Sequence, residues 1–257
     1  MNLNTEKTIM SFRGDSERQA ILRDQRTKRR KKTSRSRYVS LILSVIKPRM
    51  MLLDIGCGTA HIIQELAASN RRSLFVGLDV SPAMLKVAKS NTVKFRNITL
   101  VEGDGLRLPF PSGIFDIVIT RLADYSQREA YRILRRRGYF LECSLGPDAD
   151  KEIKEFFPER IERENFFFPR DLRTWKQEVC EDIGEAGFTV SAIDDYEEAN
   201  YYETEEELMN LIEMVPLVRE FDREKDGDRI RELAEKYGSK KGVKITWHYY
   251  ILMARKS

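Results

Sequence analysis

The sequence predicts an α/β fold: a doubly wound, mostly parallel seven-stranded sheet with helices on both faces and a last antiparallel strand. Three observations carry that prediction. Short apolar runs rich in β-branched residues alternate with amphipathic helical patterns, the signature of a parallel sheet covered on both sides. The first junction, "MMLLDIGCGTAHIIQEL" at residues 50–66, is a strand, a glycine turn and a helix without a spacer. The chain closes on "GVKITWHYYILMARK", long enough for a strand and with no helix pattern before its end.

Taken in order, residues 15–46 contain no Pro and no Gly and read as helical at least in part, with the apolar end at Tyr38–Ile46 and Pro48 as the stop. Strands are expected at 51–55, 74–79, 98–102, 114–120 and 139–143, with helices at Ala60–Ala68, Pro82–Ser90 and Ser126–Arg136. The link from Gly103 to Gly113 is short and holds two prolines, so its helix is expected to be missing or reduced. After Gly146 the rhythm changes. Helices are expected at Asp148–Phe157 and Arg170–Ala186, a strand at 187–193, two acidic helices within 203–236, and the closing strand. The organisation expected is a basic amino-terminal helical arm, 1–47, and one large domain, 48–257, carrying helical and aromatic insertions at about 147–170 and 203–238.

Charge is distributed unevenly. Residues 1–50 hold 14 Lys/Arg against 4 Asp/Glu, a balance of +10, and the rest hold 31 against 37, a balance of −6. No run reaches membrane-span length and the amino terminus lacks the apolar centre of a signal peptide, so a cytoplasmic location and no membrane partner are expected. Cys57, Cys143 and Cys180 lack metal-ligand spacing and are odd in number; they are read as reduced thiols, and no metal is expected.

The glycine turn is shaped for a ligand. Gly56 and Gly58 let the backbone bend and approach a bound group, and the helix that follows offers free N–H groups at its positive end. The position, at the carboxyl end of the first sheet strand, is where open α/β sheets bind cofactors. A dinucleotide fingerprint, G-x-G-x-x-G counted from Gly56, fails at His61. "DIGCGTA" instead resembles the acidic-x-G-x-G-x-G signature of class I, Rossmann-like S-adenosylmethionine-dependent methyltransferases, with Ala60 in the third glycine's place. Further motifs follow at fitting intervals: "LFVGLDVSPAMLKVA", "VEGDGLRLPF", "GIFDIVITRLADYS" and "EAYRILRRRGYFLEC". The resemblance covers about residues 48–146 and is closest to the small-molecule branch that includes ubiquinone-pathway enzymes.

That resemblance implies S-adenosyl-L-methionine as cofactor, S-adenosyl-L-homocysteine as product, and a cofactor site made by Asp54, Gly56, Cys57, Gly58, Asp79, Val80, Met84, Asp104, Gly105, Thr120 and Arg121. Within it Asp79 is implied to accept from both ribose hydroxyls, Asp104 to bond the adenine amino group with Leu106 or Met84 packing on the ring, and Asp54 to face the methionine end. Each acid has a plainer role open to it: Asp79 as a cap for the helix at Ser81–Pro82, Asp104 as a turn stabiliser between two glycines, and Asp54 as a residue that only holds the loop. Candidates for a general base are His61, Asp124 and Tyr125, with solvent exposure the alternative for His61 and helix capping the alternative for Asp124. The Asn/Asp-Pro-Pro-Tyr motif of exocyclic-amine methylation is replaced by "TRLADY". Phe156, Phe157, Phe166, Phe167, Phe168, Tyr201 and Tyr202 are expected either to roof an apolar substrate pocket or to pack a core.

In-line methyl transfer to a small-molecule acceptor is therefore the expectation. The alternative is RNA methylation, with nine Lys/Arg between Arg23 and Arg37 gripping phosphates in weak, nonspecific association. Aromatic residues for base stacking are absent between Arg13 and Tyr38. A nicotinamide-dependent oxidoreductase and a cofactor-binding protein without catalysis are the remaining alternatives. Removing residues 1–36 is expected to leave cofactor affinity within a few fold.

Overall fold

The structure, a computed structural model, describes residues 6–7, 17–29, 33–161, 171–214 and 217–257. The elements in chain order are β1 (Glu6–Lys7), α1 (Glu17–Arg29), α2 (Thr33–Val45), β2 (Met51–Ile55), α3 (His61–Ser69), β3 (Leu74–Asp79), α4 (Pro82–Thr92), β4 (Ile98–Glu102), β5 (Phe115–Arg121), β6 (Tyr125–Ser126), α5 (Gln127–Ile133), β7 (Leu134–Leu145), α6 (Lys151–Phe156), α7 (Leu172–Glu185), β8 (Phe188–Tyr202), α8 (Glu205–Met214), α9 (Gly227–Tyr237) and β9 (Val243–Lys256). No helix occupies residues 103–113, as the two prolines there predict.

Seven strands form one sheet in the order β4-β3-β2-β5-β7-β9-β8. Parallel pairing joins β4 to β3, β3 to β2, β2 to β5 and β5 to β7, and one strand of the seven runs antiparallel. Strand order reverses at β2: β3 and β4 lie on one side and β5 on the other. Ligand sites in open sheets form at this reversal, beyond the carboxyl ends of the strands. The registers Asp54↔Gly77, Asp79↔Glu102 and Ile55↔Thr120 bring the carboxyl ends of β2, β3, β4 and β5 to one edge. Leu52, Leu53, Phe75, Leu78, Ile117, Val118, Ile119, Phe140 and Leu141 are buried on the two faces, so the sheet's centre is apolar and its carboxyl edge carries the polar chemistry. A separate two-stranded ribbon pairs β1 with β6 antiparallel.

The chain forms two compact units. The first takes in the chain through Ser144, then Lys176–Asp194 and Ile251–Ser257; the second is Leu145–Trp175 with Asp195–Tyr250. The second has its own core, in which Ile153, Phe157, Ile161, Leu208, Leu211, Ile212, Ile230, Leu233 and Ile245 are buried together. Phe157 and Tyr202 belong to that core and Phe156 packs on it, which is core packing rather than a lid, while Tyr201 is exposed. Phe166, Phe167 and Phe168 lie outside the described residues. Buried His248 sits in this unit with both ring nitrogens engaged: Nδ1 accepts from the Asp148 N–H (3.1 Å), which leaves Nε2–H to donate to Asp195 (3.1 Å). Gly146 is required beside it, since a Cβ there would come within 2.6 Å of His248 Nδ1.

Most element ends shift by one to three residues from the sequence expectation, and the departures around β7 and β8 have a structural reason. Helix α5 ends at Ile133 rather than Arg136, because Leu134 turns extended and pairs with Phe115 at the start of β7. Strand β7 is consequently twelve residues long. Strand β8 continues to Tyr202 instead of stopping at 193.

Candidate cofactor site

At the end of β2 the chain passes through three left-handed residues, Gly56 (φ 71°), Gly58 (φ 53°) and Ala60 (φ 66°). Two of them are glycines, which adopt this region without the penalty a side chain incurs. The turn is anchored to the neighbouring strand by Gly56 N–H and Cys57 N–H, both donating to Leu78 O (2.8 and 2.9 Å). A Cβ on Gly56 would meet Ala123 Cβ at 2.1 Å, and one on Gly105 would meet Asp124 O at 2.3 Å, so the loops after β2, β4 and β5 close on one another. Gly58 differs: a Cβ there meets no protein atom within 4 Å. It borders open space, as a cradle for a ligand requires.

Asp79, at the end of β3 and only 8% exposed, faces this cradle. Its Oδ2 accepts from Gly58 N–H (2.7 Å) and its Oδ1 from Ser81 N–H (2.9 Å). The cap of α4 is Ser81, whose Oγ accepts from Met84 N–H. Each carboxylate oxygen has two acceptor positions, so one bond to each still leaves capacity for a ligand's hydroxyls. Burial raises the Asp79 carboxyl above its ordinary range, partly offset by the Ser81 and Gly58 N–H groups and the charge of Arg23. Asp54, 2% exposed, is pushed up to about 8, first by burial and then by the charge of Asp79, against the pull of Arg121. Burial and the same two acids push the Cys57 thiol upward, so it is neutral at physiological pH.

Asp104 follows β4, and its Oδ1 accepts from Leu106 N–H (2.9 Å), which folds the adjoining loop into a side-chain-closed turn. Val80 is half-buried in the bend before α4, and Met84 is buried in that helix's first turn. Thr120 is buried at the end of β5; its carbonyl and that of Leu141 lie 2.9 and 2.8 Å from Tyr38 Oη, so α2 is pinned under the sheet edge. The structure thus brings Asp54, Gly56, Cys57, Gly58, Asp79, Val80, Asp104, Gly105, Thr120 and Arg121 to the ends of four adjacent strands.

The three candidate bases are placed differently. His61 opens α3, and its Nε2 is 2.8 Å from Asp24 Oδ1 on α1. Tyr125 is fully buried and donates to Glu142 Oε2 (2.8 Å). Asp124 is not the cap of α5; Ser126 is, accepting from Glu129 N–H, and Asp124 instead lends its carbonyl to the contact with Gly105. Sequence reasoning missed Asp24, Asn91, Glu129 and Arg132. The last two fasten the loop after β4: Arg132 donates to Leu108 O (3.1 Å) and Phe110 O (2.8 Å), and Glu129 Oε2 accepts from Leu108 N–H (3.0 Å). A surface pocket of about 320 Å³ lined by Pro48 and residues 68–72 is remote from all of this, at the amino ends of β2 and β3. Among the described residues no group of three or more His, Cys, Asp or Glu side chains is placed to hold a metal, and no helix is long and apolar enough to cross a membrane.

An α/β sheet with this reversal and this glycine turn defines a Rossmann-like fold. The chain belongs to the methyltransferase-domain family, whose model matches residues 46–215. It is 34% identical over 116 residues to a malonyl-(acyl-carrier protein) O-methyltransferase of Legionella pneumophila, covering 42% of this chain and 40% of that protein. It is 26% identical over 176 residues to the mitochondrial arginine-hydroxylase NDUFAF5 of Danio rerio, covering 65% of this chain and 54% of that protein. The chain therefore spans about half, or less, of the length of these curated relatives. A crystal structure from Bacillus halodurans, assigned to methyltransferases, shares the fold, with a TM-score of 0.58, 18% identity and coverage of 84% of this chain and 96% of that one. S-adenosylmethionine is in general the methyl donor of such a family.

Proposed function

We propose that the protein transfers a methyl group from S-adenosylmethionine to a small-molecule acceptor. The observation that carries this reading is the open side of Gly58, faced by the carboxylate of Asp79 at the strand reversal of a methyltransferase-domain chain. In this reading Asp79 accepts from the ribose hydroxyls, the loop from Asp104 to Leu106 receives the adenine, and Asp54 with Arg121 faces the methionine end. The bound cofactor supplies an electrophilic methyl group on a sulfonium. The protein's part is to align the acceptor and exclude water.

An acceptor already ionised at working pH needs no base. His61 and Tyr125 have the candidate nitrogen and hydroxyl directed at Asp24 and Glu142, so neither is assigned that task. Oxygen, nitrogen and carbon acceptors all remain compatible with this site. The malonyl-carrier relative supports an oxygen acceptor on a small acyl group.

Calorimetry tests the reading. S-adenosylhomocysteine should bind, and NAD and NADP should not; tight nicotinamide-nucleotide binding without the sulfur compound would overturn it. Gly58→Val fills the cradle and should weaken binding by more than about tenfold, while the left-handed φ at this position costs the folded state at least roughly 1–2 kcal/mol, so stability without ligand is measured beside affinity. A second reading, hydroxylation, rests on the NDUFAF5 likeness. A metabolite screen with methyl-labelled donor, run with and without dioxygen and a reductant, separates the two: methyl transfer yields a labelled product and S-adenosylhomocysteine, whereas hydroxylation consumes dioxygen as oxidant and yields an unlabelled product one oxygen heavier.

A further inference from the structure

Between Arg18 and Arg37 the sequence holds a single acid, Asp24, in an otherwise basic helical stretch. In the structure that acid is engaged by three side chains, Asn91, His61 and Lys28. It is 6% exposed, one turn after the fully buried Ala20 and one turn before Lys28, on the face of α1 directed at α4. A carboxylate so buried is costly unless its oxygens are satisfied. Here Oδ1 accepts from Asn91 Nδ2 (2.9 Å) and faces His61 Nε2 (2.8 Å), and Oδ2 accepts from Lys28 Nζ (2.5 Å). These partners hold the carboxyl below its ordinary range despite burial.

Asn91 makes the link to the cofactor loop. The same Nδ2 that donates to Asp24 also donates to Thr59 O (3.0 Å), the peptide between left-handed Gly58 and left-handed Ala60. Ala60 is the one non-glycine of the three and has a conformational cost to offset. His61, directly after it, carries the second tie to Asp24. Thus α3, α4 and the glycine turn meet on one carboxylate supplied by the amino-terminal helix. The charge of Arg23, its neighbour, acts on Asp79. The Glu17–Lys86 pair (2.8 Å) also joins α1 to α4, but both side chains are exposed and it contributes little.

We propose that Asp24 and Asn91 are positioning residues of the cofactor loop, that α1 is thereby a wall of the cofactor site, and that its docking and cofactor binding strengthen each other. This rests on the reading of the Gly58–Asp79 cradle as the S-adenosylmethionine site. Coupling of this kind is reciprocal: whatever docked α1 adds to cofactor affinity, bound cofactor adds to the docking of α1.

The test is calorimetry with S-adenosylhomocysteine on the full chain, with hydrogen exchange of the α1 amides in its presence and absence. Asp24→Ala and Asn91→Leu should each lower affinity roughly five- to tenfold, the effect of one lost buried hydrogen bond. Asp24→Asn keeps an acceptor oxygen and should stay within about threefold of wild type. The ligand should slow exchange along α1 in the wild type, a readout that does not depend on any variant folding. Wild-type binding with unchanged affinity in both truncations, or with α1 exchange indifferent to ligand, overturns this proposal alone. Absence of binding to the wild type overturns the reading of the cradle, and the proposal with it.

Discussion

Asp79 is held by two backbone N–H groups and still faces the cradle, so its removal acts in two ways. The ligand loses an acceptor, and Gly58 loses the bond that fixes its peptide. Asp79→Ala should therefore weaken S-adenosylhomocysteine binding by about ten- to a hundredfold while the sheet stays folded, as circular dichroism can verify. Affinity unchanged in a folded variant would reduce Asp79 to a brace for Gly58 and Ser81. Asp54 gives a pH signature. Its folded-state value near 8 lies above the unfolded carboxyl value near 4, so between those limits the folded protein binds a proton that the unfolded chain does not. Stability from this group is complete below about pH 4 and is lost as pH rises towards 8. Asp54→Asn abolishes the effect. Across pH 5–8 the wild type should lose stability relative to the variant by on the order of 1–3 kcal/mol, read from denaturant midpoints. Parallel profiles would show that Asp54 does not titrate in that window.

Among the elements, those bounded by local turn chemistry were fully legible in the sequence. The spans of β2, β3 and β4 match expectation because glycines, Asn97 and acids at their ends mark where each stops. Strand β8 ran past its expected end because its second half, "DYEEANYY", is acidic and half-exposed, as an edge strand tolerates but a pattern reading discards. The glycines and acids of the site were legible for the same local reason. Asp24, Asn91 and Arg132 were not, since their partners are tens of residues away and depend on how helices dock. Arg132 shows what such a residue does. Its fork donates to two carbonyls of the helix-free loop after β4 while Glu129 pairs with it, so α5 fastens the loop carrying Asp104. Arg132→Met should cost about 1–3 kcal/mol in stability and weaken S-adenosylhomocysteine several-fold, with Arg132→Lys recovering only part, because an ammonium cannot bridge both carbonyls. Full recovery by lysine would mean that charge, and not the fork, secures the loop.

At the scale of the whole molecule, the basic amino-terminal segment and the acidic remainder pose the choice between acceptor classes. The sequence alone expects cofactor affinity to survive the loss of residues 1–36 within a few fold, whereas the proposed role of Asp24, which engages His61 and Asn91, predicts a larger loss. Of the nine basic residues from Arg23 to Arg37, Lys28 is paired with Asp24 and Arg23 acts on Asp79, so fewer are available to phosphates than composition suggests. Residues 30–32, the densest part of the run, lie outside the described residues. RNA association through this segment should be weak and indifferent to sequence. With about four phosphates engaged, log affinity should fall against log salt with a slope of roughly −3 for single strands. Replacing Arg30, Lys31 and Lys32 with serine should remove most of that association and leave S-adenosylhomocysteine affinity unchanged. Deleting residues 1–36 should remove the RNA association and also lower S-adenosylhomocysteine affinity at least roughly five- to tenfold, because it takes Asp24 away together with the basic run. Filter binding across a salt series and calorimetry on the same two variants make the comparison. Tight binding to one defined RNA that persists at moderate salt, with label transferred to it, would place RNA ahead of the small molecule as acceptor.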